Sequence, residues 1–123
     1  MKKIILVIFI IVVMAFLGYT LFGKKSPSVT NPEGVLLFYG KECPHCQIVD
    51  EFISKNNISQ KISFTQVEVF HNKDNSAMLV EKYKACGTTD EKQMGVPMLW
   101  DSGKCYVGQE EVIKYFQDKA NGQ

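Results

Sequence analysis

Residues 38–49 read FYGKECPHCQIV. Two of the chain's four cysteines, Cys43 and Cys46, stand around Pro44 and His45, directly after the apolar run Val35 to Tyr39. That run, VLLFY, suits a short strand buried on both faces. Pro44 suits the first turn of a helix, where a missing N–H costs nothing. The cysteine pair therefore falls where a strand hands over to a helix. Unpaired N–H groups and the macrodipole at a helix start favour an anion, and thiolate is the nucleophilic form of cysteine. Cys43 is the nucleophile on this reading. His45 sits near the sulfur and, as a cation, adds to the effect. Cys46, one turn further in, is the shielded resolving thiol. A static disulfide or half of a metal site would use the same spacing.

Working outward, the helix after Cys43 carries an apolar stripe of Ile48, Val49, Phe52 and Ile53, and Asn56-Asn57 ends it. Ile62 to Phe70 reads as a second strand, with Gln66 breaking the alternation. Asn75 to Ala85 reads as a second helix, with Leu79, Tyr83 and Cys86 on one side and Gly87 as its stop signal. Gly95-Val96-Pro97 leads into a third strand at Met98-Leu99-Trp100. Asp101-Ser102-Gly103 turns the chain into a fourth strand, Lys104 to Val107. Gly108 precedes a last helix from Gln109 to Lys119, with Val112, Ile113, Tyr115 and Phe116 as its apolar side. The order is β-α-β-α-β-β-α. The βαβ unit makes the first two strands parallel, and the closing hairpin makes the last two antiparallel. The expected fold class is α/β, a four-stranded mixed sheet with three helices on its faces.

The N-terminus differs in kind. Lys2 and Lys3 precede Ile4 to Phe22, nineteen positions without a charge, and Lys24 and Lys25 close the run. As a helix it would span roughly 28 Å, close to the hydrocarbon core of a bilayer. Residues 1–23 are read as a transmembrane signal anchor, with the domain outside the cytoplasm. A cleaved signal peptide is the competing reading, and Gly18-Tyr19-Thr20 is a poor cleavage site for it. Residues 24–34 hold prolines, glycines and small polar residues and read as a linker, which leaves 35–123 as the folded domain.

The chain has 123 residues, 46% of them hydrophobic and 22% charged, enough for one packed domain. All fourteen basic residues are lysines, and from Glu33 onward thirteen acids outnumber ten lysines. With no basic stripe, nucleic acid is not an expected partner.

With Cys43-Pro44-His45-Cys46 after the first strand and Val96-Pro97 entering the third, the chain from Val35 to Lys119 resembles the thioredoxin superfamily. In size it is most similar to the minimal glutaredoxin-like members. The resemblance implies the thioredoxin fold and a cis peptide bond at Val96-Pro97. It also implies that Val96 and Pro97 contact Cys43 and bind the substrate chain. The dipeptide Pro44-His45 is that of DsbA-type periplasmic thiol oxidases, whose large helical insertion this chain lacks. The acid that many relatives place six residues before the first cysteine is here Leu37, so proton transfer at Cys46 needs water, Glu42 or another group. Glutaredoxins carry a Gly-Gly and acidic stretch for glutathione where this chain has Gly108-Gln109-Glu110. No arginine is present to grip a glutathione carboxylate in bidentate fashion, so glutathione is not expected as the dedicated substrate.

In the topology read from the sequence, Cys86 and Cys105 both fall at the sheet edge opposite Cys43. A structural disulfide between them would close a long loop, for about 3 kcal/mol in the chain-entropy model. Two buried free thiols, or a second redox pair that relays electrons, are the alternatives. An even cysteine count behind an export segment fits an oxidising compartment. His71 reads as a surface loop residue near the active-site edge, and Met94 and Met98 as core or as apolar contact for a client chain.

The function expected is thiol–disulfide exchange with client protein thiols outside the cytoplasm, by a membrane-tethered monomer. Cys43 forms the mixed disulfide and Cys46 resolves it. The chain's own redox-active disulfide serves as cofactor, with no resident metal, and a separate recycling partner resets it. The alternative is a zinc or copper module using Cys43, His45, Cys46 and one further cysteine, although four-cysteine zinc sites usually bring two close pairs. A noncatalytic docking anchor is a third reading.

Overall fold

The computed structural model describes the backbone of residues 1–22 and 33–122, and the side chains of 1–16 and 33–122. The chain divides into two compact units, residues 1–30 and 31–123. The first contains α1, Lys2–Phe22, in which Ile4, Phe9, Met14 and Phe16 are all more than half exposed. Among the described residues no helix is long and apolar enough to cross a membrane. These residues alone do not make the transmembrane helix expected at 1–23, and the side chains of its last turn and a half lie outside the description. The linker expected over 24–34 lies outside the described residues except for Glu33 and Gly34.

The second unit holds β1 (Leu36–Tyr39), α2 (Pro44–Lys55), α3 (Ile58–Lys61), β2 (Thr65–Glu68), α4 (Lys73–Ala85), β3 (Met98–Asp101), β4 (Lys104–Val107) and α5 (Gln109–Ala120). A single 3-10 turn, Glu91–Gln93, precedes β3. The sheet order is β2-β1-β3-β4. β1 and β2 are parallel, while β1–β3 and β3–β4 are antiparallel. The mixed four-stranded sheet is as expected. The count of three helices is corrected by α3. Asn57 takes a left-handed φ of 52° after α2 ends, and Ile58, fully buried, anchors one further helical turn. The second strand is also shorter than the expected span of residues 62–70. Ile62 and Phe64 pack against the α2/α5 core instead, and Phe70 is half-exposed beyond the strand end.

Successive residues of β1 point to opposite faces of the sheet, and each face carries its own core. Leu36 and Phe38 pack with Val67, Met78, Leu79 and Tyr83 under α4. Leu37 packs with Val49, Ile53, Val112 and Phe116 under α2 and α5, where the Phe64 and Phe116 rings lie 4.9 Å apart. The β3–β4 turn puts both Ser102 (φ 47°) and Gly103 (φ 91°) in the left-handed region. That is the two-residue hairpin geometry that follows the natural strand twist. Strand β1 therefore delivers Cys43 at its C-terminal end, and antiparallel β3 begins at that same end.

Candidate active site

Cys43 is the N-cap of α2, with extended backbone (φ −84°, ψ 114°) and Pro44 next in the helix. Its N–H donates to Gly40 O at 3.1 Å, and its C=O accepts from Gln47 N at 3.1 Å. Its Sγ accepts the N–H of Cys46 at 3.2 Å. A sulfur thus occupies the place that a serine or aspartate oxygen takes at an ordinary helix start. The two cysteines are disulfide-bonded, Cα to Cα 5.2 Å, and both are buried.

Three loops close on this pair. The Val96–Pro97 peptide bond is cis, and Val96 O lies 3.6 Å from Cys43 Sγ. Pro97 O accepts from Gly108 N at 2.9 Å, which ties this loop to the start of α5. Tyr83, buried in the α4 core, donates its hydroxyl to Gly95 O at 2.8 Å and holds the loop from below. His45 Nδ1 lies 2.8 Å from Gln109 Oε1 at the first turn of α5. Cys43, Pro44, His45, Cys46, Val96 and Pro97 are therefore brought together.

The third loop follows β2. Glu68 accepts from Phe70 N at 2.9 Å and His71 N at 3.0 Å, and a further backbone hydrogen bond comes from Lys41. Partial desolvation works to raise the Glu68 carboxyl, but these hydrogen bonds outweigh it and hold it below its ordinary range. His71 is exposed, as expected of a loop histidine, yet its Nε2 lies 2.7 Å from Glu42 Oε1. The ring of Phe70 lies where a Cβ at Gly40 would stand. Gly40, Lys41 and Glu42, the three residues before Cys43, are thus held from the β2 side.

Cys86 and Cys105 are joined in a second disulfide, Cα to Cα 6.1 Å. Cys105 pairs with Trp100 in the ladder, and Trp100 pairs with Leu36 at the start of β1. This bridge therefore stands at the sheet end away from Cys43 and is not part of the site. Met98 is fully buried in the core, which corrects any client contact through its side chain; Met94 packs partly buried on the same core. Among the described residues no group of three or more histidines, cysteines or acids is placed to hold a metal ion.

Sequence reasoning missed Tyr83, Gln109 and Glu68 as supports of the site. A hydroxyl on a core-facing helix position was the one available signal, because a buried tyrosine needs a partner for its O–H.

No family model matches the chain, and no curated protein is significantly similar to it. Solved structures are similar to it in fold. The holo form of glutaredoxin C1 from Populus tremula x tremuloides superposes with a TM-score of 0.50 at 20% identity, over 72% of this chain and 78% of that one. A mutated buckwheat glutaredoxin does so with a TM-score of 0.50 at 17% identity, over 73% and 74%. What these likenesses establish is architecture: the second unit has the thioredoxin-like fold of the glutaredoxins, with a Cys-x-x-Cys pair at the start of α2.

Proposed function

We propose that the chain is a thiol–disulfide oxidoreductase acting on protein thiols outside the cytoplasm. The observation that carries this reading is the placement of Cys43 Sγ, at a helix N-cap, accepting the Cys46 N–H and facing Val96 O. A thiolate at Cys43 has the Cys46 N–H aimed at it and a backbone edge beside it along which an extended client can lie. In the oxidising direction a client thiolate attacks Cys43 Sγ, the Cys43–Cys46 bond breaks, and Cys46 leaves with the electron pair. A second client thiol then attacks the mixed disulfide, the client gains its disulfide, and Cys43 leaves as thiolate. Reduction of a client runs the same steps in reverse, with Cys46 displacing the client from Cys43. His45, the DsbA-type residue of the motif, favours oxidation or isomerisation over reduction. A separate recycling partner resets the pair.

Residues 1–23 serve as the membrane anchor in this reading, with 24–34 as the tether and 35–123 as the working domain, a monomer. A helix apolar on all sides is at home in a bilayer, and the described side chains of α1 from Ile4 to Phe16 are apolar and exposed all round. The zinc or copper alternative loses its further ligand, because Cys86 and Cys105 are joined to each other at the far end of the sheet.

The test is trapping. A Cys46→Ala variant accumulates mixed disulfides with client proteins through Cys43, and Cys43→Ala accumulates none. Failure of Cys46→Ala to cross-link to any protein thiol removes the proposal.

A further inference from the structure

The exchange reaction asks for a proton acceptor that the site has not yet supplied. Cys43 sulfur accepts the Cys46 N–H; Cys46 is buried, and its thiol must shed a proton as it attacks. Leu37, on the strand beneath, is apolar and 2% exposed and can take none. Glu42 is engaged by His71.

A groove of about 550 Å³ between α2 and the β1–β2 edge is lined by Cys46, Leu37, Gln66 and Asp50. Asp50 stands four residues after Cys46 on α2, and side chains at that spacing are neighbours on one helix face, with Cβ atoms about 5–6 Å apart. Its Oδ1 accepts from Gln66 Nε2 at 3.3 Å. Gln66 is the ladder partner of Leu37, so this bond holds the carboxylate over the sheet edge, on the groove side of α2. Among the described residues Oδ2 has no protein partner. Tyr39 and Lys41 from the β1 side also line the groove, with Glu51 and Lys55 from α2. Glu51 is occupied by Lys55 at 2.6 Å. A groove of this size, open to solvent and carrying Asp50, Gln66, Lys41 and Ser54 on its walls, admits water, and one bridging water is enough for proton transfer.

We propose that Asp50 is the proton acceptor for Cys46, and this rests on the exchange reaction proposed above. When Cys46 resolves a mixed disulfide, its S–H proton passes through groove water to the Asp50 carboxylate. Its sulfur bonds to Cys43 Sγ, and the partner thiolate leaves with the electron pair. When Cys46 is instead the leaving group, the same proton returns to it from Asp50. Either direction of the enzyme uses the one relay.

The test takes the full chain with the Cys43–Cys46 bridge selectively reduced and the Cys86–Cys105 bridge left intact, mixes it with the aromatic disulfide dithiobis(nitrobenzoate) and follows two releases of thionitrobenzoate. The first reports attack by Cys43 and the second reports resolution by Cys46. Asp50→Asn leaves the first release unchanged and slows the second about a hundredfold at neutral pH, the lower end of what general base catalysis contributes. Its second release then climbs with pH more steeply than the wild type's, as hydroxide replaces the lost base. Asp50→Glu recovers most of the rate. A second release that is unchanged in Asp50→Asn overturns the assignment, as does a slowed one with unaltered pH dependence or no rescue by glutamate. Absence of the first release in the wild type would instead remove Cys43 as nucleophile and the exchange reaction with it.

Discussion

His45 Nδ1 lies 2.8 Å from Gln109 Oε1, so one of the two residues between the cysteines is fastened to the first residue of α5. The pair is exposed, and exposed polar pairs contribute about 1 kcal/mol or less. Gln109→Ala should therefore move the potential of the Cys43–Cys46 pair by no more than about 20 mV, on a scale where about 30 mV is 1.4 kcal/mol. His45→Ala, which removes the ring beside the sulfur, should make the pair more reducing by about 30–60 mV, part of the roughly 150 mV that separates reducing from oxidising relatives. Equilibration of both variants in glutathione redox buffers measures the two shifts. A more oxidising His45→Ala would reverse the role given to the imidazole.

Glu68 makes the loops around the site sensitive to acid. Desolvation works to raise its carboxyl, and the backbone N–H groups of His71, Phe70 and Lys41, with the His71 charge, outweigh it, so the carboxyl titrates below its ordinary 4.5. A carboxylate with a lower pKa in the folded chain adds stability that is complete above the unfolded value. That stability is lost as pH falls through the folded value. Glu68→Gln removes this contribution at every pH. The difference in melting temperature between wild type and Glu68→Gln should be largest at neutral pH and shrink below 4.5. Thermal unfolding monitored by circular dichroism checks it, and a difference that widens in acid would contradict the sign.

The second disulfide lies away from Cys43, and a purely structural role for it makes a clear prediction. Cys86 and Cys105 are 19 residues apart, and closing a loop of that length stabilises by about 3 kcal/mol in the chain-entropy model. Replacing both by serine should lower the melting temperature by about 12–24 °C for a domain of this size. Turnover at Cys43 in the surviving folded protein should stay unchanged. Loss of exchange activity without loss of folded protein would make the distal pair part of an electron relay.

Much of this arrangement was legible in the sequence because local chemistry and tertiary packing agree there. VLLFY has no competing period, Pro44 marks a helix start, and Ser102-Gly103 fits its turn. Where the two disagree, reading failed. Ile62 and Phe64 have the composition of a strand, but the α2/α5 core claims them before the ladder begins. Ile58 gains its helical turn from burial, which no local signal announces. The supports of the site were hidden for a related reason. Gln109 acts across 64 residues and Glu68 reaches the Lys41 N–H in another loop, and a side chain with an ordinary surface composition gives no hint of a partner so distant in sequence.

The register of the sheet sets the two sulfur bridges at opposite poles of one rigid slab. Thiol exchange demands that three sulfurs fall into line, and in this fold neither bridge has a sulfur of the other within its reach. If the bridge at Cys43 opens and closes as proposed, the other bridge stays out of its way, and mispairing becomes a hazard chiefly of the chain before it folds.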